Sequence, residues 1–137
     1  MASFNKFQPF VEALAEGLHD LGADTLKVAL TNTAPNATDD HLADITQITY
    51  NTSTAGPETA TQSSSAQTSG TYKLVVGDVT FTATSSTGPF RYAVLFNDTA
   101  SNDELIGYWD YGSSITLATS ETFTVDFSAA NGVLTLA

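Results

Sequence analysis

Gly88-Pro89-Phe90-Arg91-Tyr92-Ala93-Val94-Leu95-Phe96 is the stretch that decides the fold. Phe90, Tyr92, Val94 and Phe96 recur with a period of two, and Ala93 and Leu95 fall between them, so a strand made from this text is apolar on both faces. Such a strand belongs in the middle of a packed structure. The flanking text agrees. Upstream, Tyr72 to Val76 reads as strand, breaks at Gly77-Asp78, and resumes with Val79, Phe81 and Ala83 alternating with threonines, which makes a hairpin or a bent strand. Downstream, strands are expected at Leu105 to Tyr111, Ile115 to Ala118 and Thr122 to Phe127, after an acidic turn from Asn97 to Asp103. Ala130-Asn131-Gly132 is a turn signal before a last strand, Val133 to Leu136.

Nearer the N-terminus, Leu26, Val28 and Leu30 alternate with Lys27, Ala29 and Thr31, which predicts one more strand. Seven or eight short strands with turns between them define a mainly β chain: an antiparallel β-sandwich, jelly-roll-like domain or small barrel. One helix precedes them. Phe7, Phe10, Val11, Leu14, Leu18 and Leu21 are spaced by three and four, Pro9 suits a first turn, and Gly22 suits a C-terminal cap, which predicts a helix over about 7–21. Residues 42–48 read equally as a helical turn or a strand. Residues 49–70 are Thr, Ser, Ala, Asn and Gln with Tyr50 as the only large apolar side chain, and are expected to form a flexible surface loop or an extended arm.

The chain has 137 residues, a length suited to one domain. Twenty-two threonines and thirteen serines make hydroxyls, not charges, its main polar surface, and threonine favours half-exposed strands. Fifteen acids face four bases, Lys6, Lys27, Lys73 and Arg91, for a net charge of -11. That balance repels phosphate backbones and anionic lipid, and four scattered bases cannot make a nucleic-acid footprint, so neither nucleic acid nor membrane is an expected partner. Without cysteine there is no disulfide framework and no thiolate chemistry. No signal-peptide pattern and no run of about 20 apolar residues is present, which suggests a protein made and used in soluble form.

Candidate chemistry is sparse. His19 lies on the expected helix and His41 in an acidic loop with Asp39, Asp40 and Asp44; neither has a nucleophile at useful spacing, and surface histidines are expected. Those aspartates, and the group Asn97, Asp98, Asn102, Asp103 and Glu104, could offer oxygens to calcium. They do not match a calcium-loop pattern and suit solvated turns better, so no metal or other cofactor is expected. Tyr108, Trp109 and Tyr111 could form a sugar platform, but at strand spacing they fit core or interface better.

Several segments together are similar to a group of small tailed-phage structural proteins, some of which look like capsid decoration, or cement, proteins. The similarity rests on Asp24-Thr25-Leu26-Lys27-Val28-Ala29-Leu30-Thr31, on Leu42-Ala43-Asp44-Ile45, on Arg91 to Asp98, on Leu105-Ile106-Gly107-Tyr108-Trp109-Asp110-Tyr111-Gly112, and on Thr122 to Phe127 with Asn131 to Leu136. The group's Gly-Tyr-x-x-Gly-Gly-like stretch is replaced here by Tyr50 to Gly70, with only Gly56 and Gly70. The resemblance implies a non-enzymatic virion protein, made in the host cytoplasm and placed on the outer capsid surface. It would bind the major capsid protein as a homo-oligomer, dimer or trimer, through many modest contacts acting together. Phe4, Phe7, Phe10, Val11, Leu14, Tyr50 and Trp109 are the candidate interface residues. A tail, neck or fibre component, a glycan-binding module and, more remotely, a hydrolase using His19 or His41 are the alternatives.

Overall fold

In the computed structural model, which describes residues 2–137, β7 (Thr87–Asn97) and β8 (Leu105–Leu117) form a long antiparallel hairpin inside a five-stranded sheet. Its order is β1-β8-β7-β2-β3, with β1 at Asn5–Lys6, β2 at Leu26–Thr31 and β3 at Glu58–Ala60. The expected two-faced strand is thus central, and Val94, Leu95 and Phe96 are all buried. The two strands expected at 105–111 and 115–118 are one continuous strand, because β7 stays paired with it as far as Thr87↔Leu117. Register shifts around Phe90 and between Leu95 and Phe96 bend the pair as it runs.

A second layer holds two smaller antiparallel sheets. One has the order β10-β5-β4, with β4 at Gln62–Thr68, β5 at Thr71–Val76 and β10 at Leu134–Leu136; the other pairs β6 (Val79–Thr82) with β9 (Thr122–Val125). β5 and β6 do not pair with each other, so the stretch read as hairpin or bent strand is a bent strand, and Gly77-Asp78 carries the chain from one sheet to the next. The domain is an antiparallel β-sandwich with one helix, and its buried apolar residues form one cluster running from Phe7 to Leu134.

Consecutive residues on a strand point to opposite faces, so Tyr108 and Trp109 report what covers each side of the large sheet. The Phe7 ring lies 5.2 Å from Tyr108, which places the helical segment over one face. Phe127 meets Trp109 edge-on at 5.3 Å, which places the β9 segment over the other.

The helix, α1, spans Gln8–Ala15, half the expected length. Gly17 stops it, not Gly22: Gly17 adopts φ 82, its N–H bonds Leu14 O at 3.3 Å, and the Leu18 N–H bonds Ala13 O at 2.9 Å. That is a Schellman cap, a left-handed turn that glycine enters freely. Leu18 and Leu21 continue the helical spacing but not the helix; Leu21 is buried from a turn, and Leu18 is exposed.

Residues 49–70 are also corrected. The segment is not a loose arm but contains β3 and β4, and Ser69 (φ 51) and Gly70 (φ 86) make the two-residue turn into β5. Every residue of β4 after Gln62 is exposed, so no apolar alternation marks the strand. The ambiguous residues 42–48 form a 3-10 turn, Leu42–Asp44, followed by a bridge from Gln47 to Thr31.

Phe7 precedes α1 with its ring buried, and Val11, one turn on, faces solvent. Phe7→Ala empties a fully buried ring site and should cost about 3–5 kcal/mol in urea unfolding, while Val11→Ala, 51% exposed, should stay within about 0.5 kcal/mol. A loss under about 1 kcal/mol for Phe7→Ala would contradict a fully buried ring.

Candidate functional site

The large sheet is not fully covered on the Trp109 side. Between β8 and the β9–β10 segment lies an aromatic cleft of about 410 Å³, with Phe4, Trp109, Tyr111, Phe123 and Phe127 among its walls. Its size is that of a small-ligand or peptide pocket. Phe127 and Phe90 are buried and form the inner wall, whereas Tyr111 at the mouth is 57% exposed. The rings touch in pairs: Phe4 with Trp109 at 5.4 Å, Tyr111 with Phe123 at 5.8 Å and Phe90 with Phe123 at 4.9 Å. Edge and tilted contacts of this kind hold rings in place and leave apolar faces toward the opening.

Two local features make the cleft. Gly107 on β8 has no side chain, and a Cβ there would collide with the Phe4 ring, so the glycine lets Phe4 lie against the strand beside Trp109. Arg91 closes one rim through two bonds to Asp110, Nε to Oδ1 at 2.7 Å and an NH2 group to Oδ2 at 3.0 Å. Those bonds, with a further one from the Gly112 N–H, hold the Asp110 carboxyl below the usual carboxylate range and push the Arg91 guanidinium up. Both groups are solvent-exposed in part, so the pair positions the rim more than it stabilises the fold. Its charges cancel, and the cleft offers a ligand an apolar floor with the Asp126 carboxylate among its polar lining.

Of the candidate interface residues, Phe4 and Trp109 come together in this cleft. Phe7 and Phe10 do not reach the surface; they are buried against the chain's own sheet and His19. Leu14 packs half-buried on the core, and Val11 alone of the helical set stands exposed. Tyr50 is turned inward: its hydroxyl accepts the Leu30 N–H at 2.8 Å and donates to Gln47 at 2.9 Å, and burial pushes it up to about 12. Tyr50 is therefore a brace for β2. Phe123 and Phe127 were missed, because their alternation reads as an ordinary core face.

The histidines divide. His41, at the surface, is 2.9 Å from Asp40, and Asp44 accepts the Asp40 and His41 N–H groups at 3.1 and 3.2 Å. Those backbone bonds lower the Asp44 pKa and account for the acidic cluster as the cap of a 3-10 turn. His19 is buried, contrary to expectation, because the Phe10 ring packs tilted against it at 5.1 Å and Asn97 Nδ2 meets its Nδ1 at 3.1 Å. Asn97 is itself saturated: Nδ2 also donates to Asp24 at 2.6 Å, and Oδ1 accepts the Thr99 and Ala100 N–H groups at 3.0 and 3.2 Å. Since the amide donates, Nδ1 accepts and Nε2, which has no partner, carries the proton. Among the described residues, no hydroxyl is hydrogen-bonded to either imidazole.

No family model, curated protein or solved structure matches the chain.

Burial lowers the His19 pKa below the ordinary imidazole value of 6.5, against the opposing pull of Glu104 and Asp24. The unfolded chain then binds the proton more tightly than the folded one. The stability that His19 contributes is complete above about pH 6.5 and falls as pH drops through the folded value, by at most about 1.4 kcal/mol per pH unit. His19→Gln can accept the Asn97 amide but takes up no proton. The unfolding free energies of wild type and His19→Gln should therefore converge between pH 7.5 and pH 5.5; a constant gap would refute the assignment.

Proposed function

We propose that this chain is a virion structural protein, a decoration or cement protein that binds the major capsid protein on the outside of a tailed-phage head. The aromatic cleft is the observation that carries this reading. A row of rings open to solvent on a rigid sandwich is an adhesive socket, and aromatic side chains in partly dry pockets dominate protein interfaces. The resemblance of the β2, β7, β8 and β9 segments to phage structural proteins supports the same class. A net charge of -11 suits an outward position, away from packaged DNA. Self-association into a dimer or trimer is part of the proposal, since symmetric shells multiply modest contacts.

Placement in the tail, neck or fibre shares all these features and differs only in location. A glycan-binding role is the second reading, favoured by one observation: the exposed Tyr111 ring shares the cleft with Trp109, Asp126 and Asn131, a mixture of flat rings and polar groups suited to a sugar.

Capsids lacking the protein should take it up on their outer face, visible by electron microscopy. Trp109→Ala and the gentler Tyr111→Ala should each weaken that uptake about tenfold or more while leaving the unfolding transition cooperative. Density on the tail would remove the head placement. Binding to an array of neutral glycans that both variants abolish, with no uptake by capsids, would favour the second reading.

A further inference from the structure

The geometry points to β4, the edge strand Gln62–Thr68, as the surface through which a second copy of this chain pairs. β4 is hydrogen-bonded to β5 on one side only. Counting the ladder from the turn-flanking pair Thr68↔Thr71, the N–H and C=O groups of Ser65 and Gln67 face away from β5. No backbone hydrogen bond from another element reaches them. The turn at Leu21–Asp24 touches β4 only through the Gln62 and Ser65 side chains.

Edges of this length are ordinarily blunted by lysine, proline or inward charge. β4 reads Gln-Ser-Ser-Ser-Ala-Gln-Thr and has none of these. Its first pairs carry a register shift at Gln62/Ser64, after which the strand is regular to the turn. Charge then selects the partner. All fifteen carboxylates of the chain lie outside residues 59–77, and the only charged side chain within them is Lys73. Two copies at -11 each repel over most of their surfaces, and the β4–β5 hairpin brings no carboxylate of its own to the seam, which Asp20 and Asp24 adjoin from the turn that meets Ser65 and Gln62.

An antiparallel pairing about a two-fold axis at Ser65 is self-complementary. It sets Ser64 of one copy opposite Ala66 of the other, and joins two three-stranded sheets into one of six. The side chains of Ser64, Ser65 and Ala66 at the axis are small, which suits the usual strand spacing of about 4.8 Å. A contact of one strand from each copy lies at the low end of interface sizes, so the dimer is concentration-dependent. This pairing supplies the surface for the self-association included in the proposed function, and it needs no capsid to form.

Analytical ultracentrifugation of the wild-type chain should give a monomer–dimer equilibrium below about 1 mM. Ser64→Glu with Ala66→Glu keeps the fold, since both sites are exposed and Lys73, opposite Ala66, receives the new carboxylate. Across the axis, however, it sets glutamate against glutamate, and it should remain monomeric. Ser64→Lys with Ala66→Glu places opposite charges across the same axis and should dimerise at least as well as wild type. A wild type that stays monomeric at about 1 mM, or a Glu/Glu variant that dimerises like wild type, overturns the proposal; a capsid that fails to bind a dimeric protein would count only against the proposed function.

Discussion

The hairpin of β7 and β8 is apolar on both sides, and that imposes the arrangement of everything else. A strand pair with Val94 and Leu95 on opposite faces, both fully buried, is stable only between two covers. The chain supplies one from its N-terminal segment, where Phe7 and Phe10 lie under the helix, and the other from the β5–β6 and β9–β10 segments. A helix of eight residues cannot stand alone in water, so α1 exists because it is the lid on this sheet. The second cover is made of short strands in two pieces, and it leaves part of the Trp109 face bare. The cleft is the remainder of an incomplete sandwich, which explains why rings normally found in a core line an open wall.

The β framework was legible because one-sided burial writes itself as alternation, and β6 and β9 obey it; β2 alternates in sequence yet is closed on both faces, with Ala29 and Thr31 as buried as Leu30. Failures occurred where burial does not follow local spacing. Leu18 and Leu21 extend a helical pattern past Gly17, yet the glycine had the position and conformation to end it, and the period was the weaker signal. β4 has no buried face, hence no pattern; its only trace was the Ser69-Gly70 turn between hydroxyl-rich stretches. His19 was misplaced because its burial depends on Asn97, which is 78 positions away in sequence. The site was half legible. Trp109 and Phe4 could be nominated as apolar residues, but that the cover over them stops short is a property of two sheets and their spacing, invisible in either segment alone.

Hydroxyls shape the exterior in a way that charge would not. Thr80 and Thr124 bond across β6 and β9 at 2.9 Å, and Ser65 meets Tyr72 across β4 and β5 at 2.9 Å. Such cross-strand pairs stiffen exposed sheets with little long-range field, so the acidic charge stays concentrated in turns and caps. A surface divided this way separates solubility from adhesion: carboxylates keep copies apart in most orientations, and uncharged strands remain available for ordered contact.

Phe4 rests on a strand of two residues, and β1 meets β8 only at Asn5↔Tyr108 and Lys6↔Gly107. Its seat depends on a methyl group that is missing from Gly107. Residue 107 is thus a latch for the N-terminal end of the domain. A side chain there would meet the Phe4 ring and the Asn5 carbonyl, so the shape of the aromatic wall is set from a position that contributes no atoms to it.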